Sequence, residues 1–257
     1  MPELPDLQVF SHNLNKQLSG KKVKEVIVGN SKKISVPKKT IVDAIEKQKI
    51  KSVFRKGKEL YFEFENAQII SLHLMLNGEI HLFKSDPPVK YLIIQLTFTD
   101  GTGMALTDFR GLAKASLNPK DDGVVDATDI DFDLLKGIIS NKRASIKNIL
   151  LDQKLIGGIG NAYADEILWE AGLSPFSSAM MIPDKKIKDL VKSIKYVLKH
   201  AEQQILKSNP DIISGEIRDF LRIHTSKKTH SPSGVPIEIK KTGARKTYYT
   251  AEQELFT

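Results

Sequence analysis

The chain begins MPELPDLQ, which places a proline and two carboxylates where they could do chemistry. If Met1 is removed, Pro2 becomes the chain terminus and carries a secondary amine. An α-amino group has a pKa of about 7.7–8.0, against about 10.4 for lysine, so far more of it is uncharged at pH 7. Such an amine can form a Schiff base with an aldehyde-like carbon, and Glu3 could carry protons beside it. A plain helix start is the alternative, since Pro5, Glu3 and Asp6 suit a first helical turn.

Two glycine-containing turns carry cations that could hold phosphates. In FRKGKEL, basic residues flank a glycine at the tip of a predicted hairpin, and Lys58 could reach a phosphate or the amino terminus. In GARKTYYT, Arg245 and Lys246 lie at a second predicted hairpin turn, where a guanidinium suits a phosphate. Solvated basic turns remain an alternative explanation for both motifs.

Two further turns carry side chains that could enter a base stack. HLMLNGEI places apolar Leu76 at a turn, and apolar side chains at exposed turns can wedge between bases. TDFRGLA places Arg110 at another turn, where it could fill the space left by an extruded base or pair with a phosphate. The alternatives are that Leu76 packs under its turn and that Arg110 is solvated.

The segment LIGGIGNAYADEILW combines a glycine-rich turn with a predicted helix. Its glycines let backbone N–H groups approach a phosphate closely, and Asn161 is a favourable N-cap with a side-chain donor. A dinucleotide-binding fingerprint requires a strand directly before the glycines, and the sequence predicts none there. Two helices joined by such a turn indicate a relative of the helix–turn–helix that grips a nucleic-acid backbone; a tight inter-helix turn is the alternative.

The elements that must position these residues differ along the chain. Leu7, Phe10, Leu14 and Leu18 predict a helix ending near Gly20. The strand-like runs KVKEVIV, LYFEFE, AQIISLHLML, GEIHLF and KYLIIQLTFTD, interrupted by the short helix KTIVDAIEKQ, predict an antiparallel sandwich.

From about residue 130 the periodicity is helical, as in IDFDLLKGIISNKRASIKNILLDQ and IKDLVKSIKYVLKHAEQQIL. The second run has one apolar face, formed by Leu190, Val191, Ile194, Val197, Leu198 and Ala201. GVPIEIKK and ARKTYYTA predict a final hairpin with its turn near TG.

Composition narrows the class of protein. The 257 residues include 39 Lys+Arg against 31 Asp+Glu, and this net charge of +8 favours a polyanionic partner. No apolar run approaches the ~20 residues that a membrane span needs, and the polar start does not resemble a signal peptide. Cysteine is absent, which excludes disulfides, thiol catalysis and Cys-ligated metal sites. An intracellular protein is therefore expected.

Taken in order, these segments resemble the formamidopyrimidine-DNA glycosylase/endonuclease VIII family of base-excision repair enzymes, in its zincless-finger type. The matching motifs are PELPD, RKGKEL, HLMLNG, TDFRG, IGGIGNAYADEILWEAGLSP and GARKTYYT. The resemblance implies an α+β fold: an antiparallel β-sandwich with flanking helices (1–125), a helix–two-turn–helix domain (126–223) and a zincless hairpin finger (224–257). It also implies that DNA binds in the cleft between the lobes.

The resemblance further implies roles for individual residues. By position, the catalytic roles fall on Pro2 as nucleophile, on Glu3 and on Lys58, with Asp6 in support. The DNA-binding roles fall on phosphate-holding and void-filling residues, namely Asn161, Arg245, Leu76, Arg110 and Leu112.

The implied activity is that of a bifunctional DNA glycosylase/AP lyase. It would remove oxidised pyrimidines, ring-opened purines or hydantoins and would cleave abasic sites by β/δ-elimination through a Schiff base at Pro2. The enzyme would need no cofactor and no metal. It would act as a monomer on double-stranded damaged DNA in the cytoplasm, at the nucleoid if the source is bacterial.

Three departures from the family pattern qualify these expectations. Asp6 replaces a usual glutamate and is one methylene shorter. His224 and His230 cannot by themselves close the tetrahedral zinc site that many members build from four cysteines. The stretch RDFLRIHTSKKTHSPSG is short, whereas members acting on 8-oxoguanine have a longer loop there. A DNA-binding protein without catalysis on the same scaffold is the second hypothesis, and a basic two-domain protein with incidental glycine turns is the third.

Overall fold

The computed structural model describes residues 1–88 and 90–257, which form two compact units. The first unit comprises Met1–Asp122 with Ile205–Glu216, and the second comprises Gly123–Gln204 with Ile217–Thr257. The division into three domains stays a prediction. The first unit also takes in residues 205–216, which the sequence grouped with the helices.

Two four-stranded antiparallel sheets form most of the first unit, with the orders β1-β6-β7-β5 and β2-β3-β4-β8. Their strands are β1 (Val23–Val28), β2 (Ile50–Lys56), β3 (Glu59–Phe64), β4 (Ile69–His73), β5 (Glu79–Phe83), β6 (Leu92–Phe98), β7 (Gly103–Thr107) and β8 (Lys114–Leu117). Buried side chains from both sheets belong to one hydrophobic cluster. The predicted antiparallel sandwich is therefore confirmed.

The sequence patterns missed β7 and β8 and showed only the end of β2. β7 contains glycine, methionine and alanine, which give a weak strand signal. It forms because β5 and β6 pair with it on its two sides. Gly103 permits this packing, since a Cβ there would lie 2.2 Å from the Phe83 ring. Tertiary pairing thus overrides local propensity in this strand.

Two helices belong to the first unit, α1 (Leu4–Leu18) and α2 (Lys38–Ile45). The four apolar residues that predicted α1 are each at most 2 % exposed, namely Leu7, Phe10, Leu14 and Leu18. α1 contacts β2, and the side-chain oxygen of Asn15 accepts a 2.8 Å hydrogen bond from the backbone of Val53. The helix that carries the amino terminus is therefore fixed to the sandwich.

The second unit contains helices and short strands. The elements along it are β9 (Val125–Asp126), α3 (Phe132–Ile139), α4 (Ile146–Leu151), β10 (Ile156–Gly157), α5 (Asn161–Glu170), most of α6 (Asp184–Ser208), β11 (Glu238–Thr242) and β12 (Arg245–Tyr249). The periodic run after residue 130 forms two helices, because Asp131 and Ser145 each cap a helix N-terminus through the side chain. The predicted apolar face of α6 is buried. Within the described residues, no helix has both the length and the apolarity needed to cross a bilayer.

Candidate nucleic-acid site

The amino-terminal motif forms a capping box. Glu3 is the N-cap of α1 rather than a residue of its first turn, which corrects the sequence interpretation. The backbone N–H of Glu3 donates to Asp6 Oδ2 at 2.8 Å, and the Glu3 carboxylate accepts from the backbone of Asp6. Glu3 is 5 % exposed and Asp6 is 1 % exposed. The shorter Asp6 side chain is therefore compatible with a fixed position for Glu3.

The chain terminus is held by a carboxylate that the sequence did not single out. The amino group of Met1 forms an ion pair with Glu216, which belongs to the same compact unit. Met1 is exposed, whereas Pro2 is buried and its nitrogen is part of an amide as long as Met1 remains. Removal of Met1 would turn this buried nitrogen into the terminal amine. No local pattern marks Glu216, because it meets the terminus only through the fold.

Lys58 lies at the predicted hairpin tip. Lys56 pairs with Glu59, so Gly57 and Lys58 form a two-residue turn, and Gly57 has a positive φ of 55°. The Arg55 guanidinium donates to the Gln8 side chain of α1 at 3.0 Å. This contact joins the hairpin to the helix that begins directly after the Pro2–Glu3 motif.

His73 is a further candidate that the sequence analysis missed. It ends β4 and pairs in register with Lys114. Its Nδ1 accepts the backbone N–H of Met75 at 3.0 Å, so the proton of the neutral ring is on Nε2. Burial lowers the pKa of His73 and the charges of Lys58 and Lys114 lower it further, while Glu59 raises it. His73 is thus a neutral donor, which a lone histidine in a strand-like run does not reveal.

Leu76 lies at an exposed turn, as predicted. The backbone N–H of Gly78 donates to the Leu74 carbonyl at 2.8 Å, and Met75 has a positive φ of 54°. Leu76 is 50 % exposed, so it does not pack under its turn. An apolar side chain in this position remains available to a partner.

The loop that carries Arg110 and Leu112 is organised by one buried carboxylate. Asp108 is 3 % exposed, and its oxygens accept the backbone N–H groups of Arg110 at 2.9 Å, Leu112 at 2.7 Å and Ala113 at 2.7 Å. Arg110 is exposed and Leu112 is half-buried. The exposed Phe109 ring lies 5.6 Å from the Arg110 guanidinium carbon. Asp108 therefore sets the backbone from which both predicted void-filling side chains project.

Replacing Asp108 with alanine is expected to lower the free energy of unfolding by about 1–3 kcal/mol, because buried backbone donors lose their acceptor. Urea unfolding of the purified chain measures this change. Hydrogen exchange of peptides covering residues 110–113 should accelerate at the same time. Asp86→Ala, which removes an exposed carboxylate from the same unit, is the matched control and should change neither quantity. Equal behaviour of the two variants would contradict this role of Asp108.

In the second unit, Asn161 is the first residue of α5, and Gly160 is its N-cap. This corrects the prediction that Asn161 caps the helix. The Gln153 side chain accepts from Gly158 N at 3.0 Å and donates to the Ile159 carbonyl at 2.8 Å, which holds the glycine turn in place. The Asn161 amide instead donates to the carbonyl of Lys246 in β12 at 2.9 Å. Asn161 and the hairpin are therefore in direct contact.

A buried ion pair lies beneath this contact. Asp165 of α5 and Lys147 of α4 are 1 % and 5 % exposed, and their charged atoms are 2.7 Å apart. Lys147 also donates to Thr247 Oγ1 at 2.8 Å. Asp165 Oδ2 accepts the backbone N–H of Tyr248 at 3.0 Å and lies 2.7 Å from His224 Nδ1. The pair thus fastens β12 to two helices, and no sequence motif indicated it.

Arg245 and Lys246 are exposed at the tip of the β11–β12 hairpin, as predicted. Thr242 pairs with Arg245, so Gly243 and Ala244 form the turn, with a positive φ of 60° at Gly243. Among the described residues, no group of three or more His, Asp or Glu side chains is placed to hold a metal ion. The tip of the hairpin therefore presents two cations to solvent.

Comparison with known proteins defines the class of this fold. The model of the formamidopyrimidine-DNA glycosylase N-terminal domain matches residues 1–115, and that of the formamidopyrimidine-DNA glycosylase H2TH domain matches residues 124–209. The formamidopyrimidine-DNA glycosylase of Listeria monocytogenes is 31% identical over 97% of this chain and 98% of its own length. That of Ligilactobacillus salivarius is 30% identical, with 97% of each chain covered.

Solved structures of the Fpg protein of Lactococcus lactis have the same fold. A complex of this protein with a THF-DNA and an inhibitor has a TM-score of 0.89 at 22% identity, covering 98% of this chain and 100% of the other. A complex with an oxidised pyrimidine containing DNA has a TM-score of 0.86 at 24% identity, with 97% and 98% covered.

The chain belongs to the formamidopyrimidine-DNA glycosylase family, and the sequence prediction of a DNA glycosylase of base-excision repair is confirmed at this level. The predicted sandwich, the H2TH helices and the hairpin finger are confirmed with it. The roles of the individual site residues stay predictions.

Proposed function

We propose that the chain is a bifunctional DNA glycosylase/AP lyase that uses the terminal amine of Pro2 after Met1 has been removed. The observation that supports it most is the capping box, which fixes Glu3 beside a buried Pro2 in a member of a DNA glycosylase family. The contact between Arg55 and Gln8 also attaches the hairpin that carries Lys58 to the helix that follows this motif.

The first chemical step is the loss of the damaged base. The nucleotide is extruded from the duplex, at a cost of a few kcal/mol that damage or mispairing lowers. The amine lone pair of Pro2 bonds to C1′, the glycosidic bond breaks, and its electrons leave with the base, which takes up a proton. Opening of the sugar ring then gives a cationic Schiff base between Pro2 and C1′.

Strand cleavage follows from the Schiff base. The cation makes the 2′ hydrogen acidic, and its removal expels the 3′ phosphate by β-elimination. A second elimination expels the 5′ phosphate. Glu3 accepts and returns protons in these steps. Lys58 and neutral His73 donate to phosphates in the first unit, and Asn161 and Arg245 do so in the second.

The void left by the extruded nucleotide is filled from two loops. Leu76 is half exposed at its turn, and Arg110 and Leu112 project from the loop that Asp108 organises. We assign these side chains to the base stack.

The proposed partner is double-stranded damaged DNA. The protein acts on it as a monomer, without a metal, and is located inside the cell with the DNA.

The lesions proposed are oxidised pyrimidines, ring-opened purines, hydantoins and abasic sites. Support comes from Fpg complexes of Lactococcus lactis, which contain an oxidised pyrimidine, a FAPY-dG or an abasic site. We place 8-oxoguanine below these lesions because the stretch from Arg218 to Gly234 is short, although a structure of MutM with carbocyclic 8-oxo-G containing DNA also has this fold. A non-catalytic damaged-DNA binder is the second candidate function, since pairing of the Met1 amino group with Glu216 would block Pro2 if Met1 were retained.

The test uses processed chain, with its Pro2 terminus verified by mass spectrometry, and duplexes that each contain one defined lesion. Borohydride should trap a covalent complex with abasic DNA and with the oxidised pyrimidine. Strand cleavage at 8-oxoguanine should be at least about tenfold slower. Undamaged duplex of the same sequence is the control and should not be trapped. Binding to every lesion without a trapped complex would instead establish the non-catalytic alternative.

A further inference from the structure

The β11–β12 hairpin is attached to α5 at three successive helical turns. Asn161, Asp165 and Trp169 are four residues apart and therefore lie on one face of the helix. The first two hold β12 through Lys246 and Tyr248, as described above. The third contact lies beyond the strand, where the Trp169 indole donates to a carboxylate oxygen of Glu252 at 3.2 Å.

Glu252 joins the two ends of the hairpin. Thr250 Oγ1, from the turn that follows β12, donates to it at 2.9 Å. Ser231 Oγ donates at 3.1 Å and Ser233 Oγ also donates, both from the turn that precedes β11. The two serine hydroxyls are themselves 2.8 Å apart. One carboxylate therefore connects both turns at the base of the hairpin and the last turn of α5.

The charge state of Glu252 suits this arrangement. The hydrogen bond from Ser233 is the main cause that lowers its pKa, and those from Trp169, Thr250 and Ser231 act in the same direction against a smaller effect of burial. The carboxylate is ionised at neutral pH and can only accept hydrogen bonds. All four surrounding groups can act as donors, so the cluster is complete without an added ion.

We propose that Glu252 is a positioning residue for the phosphate-binding tip of the hairpin. It acts through β12, whose other end carries Arg245 and Lys246. With its base fixed to α5, the hairpin keeps its tip in one place relative to Asn161 before DNA arrives. The contact of the tip with DNA rests on the proposed function, whereas the fastening of the hairpin does not.

The fastening is measured on the free protein by hydrogen exchange. In Glu252→Ala, amides of residues 238–249 should exchange about tenfold faster, while those of α6 remain unchanged. Glu254→Ala is the matched control, since Glu254, like Glu252, is an exposed carboxylate, and its side chain pairs with Lys186 instead. Glu252→Gln keeps an acceptor oxygen and should restore most of the protection. A metal chelator should leave the exchange of the unaltered chain unchanged.

The effect on DNA is measured separately with abasic duplex. Glu252→Ala should weaken binding about tenfold. The slope of log binding constant against log salt concentration should become shallower by about 0.9, the value for one phosphate contact. The first-order trapping rate at saturating DNA should stay within about twofold, because Glu252 does not touch the reacting atoms. The milder Ser233→Ala, which removes one donor, should weaken binding by about two- to threefold.

Each outcome decides one of the two proposals. If Glu252→Ala exchanges like Glu254→Ala, or if the chelator accelerates exchange in the unaltered chain, the role of Glu252 is overturned. Faster exchange with unchanged DNA affinity would overturn the positioning of the tip. Failure of the unaltered chain to trap abasic DNA would refute the proposed function and leave the exchange result standing.

Discussion

In a chain that keeps Met1 ahead of Pro2, the rate at which borohydride traps a covalent complex with abasic DNA should fall by more than about a thousandfold. The nitrogen of Pro2 is then an amide and cannot act as a nucleophile. The amino group of Met1 is displaced by one residue and is paired with Glu216. The measurement compares two forms released from one removable N-terminal fusion, cut either before Met1 or before Pro2.

The two forms are matched in everything except one exposed residue. Met1 is 38 % exposed, so its removal should leave thermal unfolding and the affinity for a non-reactive abasic analogue nearly unchanged. Equal trapping rates for the two forms would show that the amine of Pro2 is not the nucleophile.

Replacing Asp165 with alanine should lower the free energy of unfolding by about 3–5 kcal/mol. The replacement leaves Lys147 buried without its counter-charge, and such a loss is far costlier than that of an exposed ion pair. The backbone N–H of Tyr248 loses its acceptor at the same time. Because β12 carries Arg245, DNA affinity should fall together with stability. Urea unfolding and titration with abasic duplex measure the two effects.

The control for this change is Asp133→Ala, which removes an exposed carboxylate from α3 in the same unit and should cost at most about 0.5 kcal/mol. A double-mutant cycle isolates the pair. Asp165→Ala combined with Lys147→Met should be less destabilised than the sum of the single changes, because the second change removes the unpaired charge. Additive free energies would mean that the two side chains do not act as a pair.

Features that depend only on neighbouring residues can be predicted from short stretches of this chain. The apolar spacing from Leu7 to Leu18, the turn at Gly57–Lys58 and the glycine turn before Asn161 are such features, and the structure has them where the patterns predicted. Turn chemistry and helical periodicity are local, so a short window of sequence contains the whole signal. For this reason short motifs are sufficient to single out Pro2, Glu3 and Lys58 as candidate residues.

The polar side chains that hold the amino terminus and the β11–β12 hairpin in place are visible only in the fold. Lys147 meets Thr247, Trp169 meets Glu252, and the amino terminus meets Glu216, each across a long stretch of chain. Local sequence patterns cannot identify a charged or hydrogen-bonding partner that lies far away along the chain. For the buried Lys147, desolvation makes the lack of a partner costly once distant elements come together, whereas Glu216 and Glu252 find their partners at the surface. The candidate reactive groups can therefore be recognised in short stretches of sequence, whereas the side chains that support them can be identified only once the chain is folded.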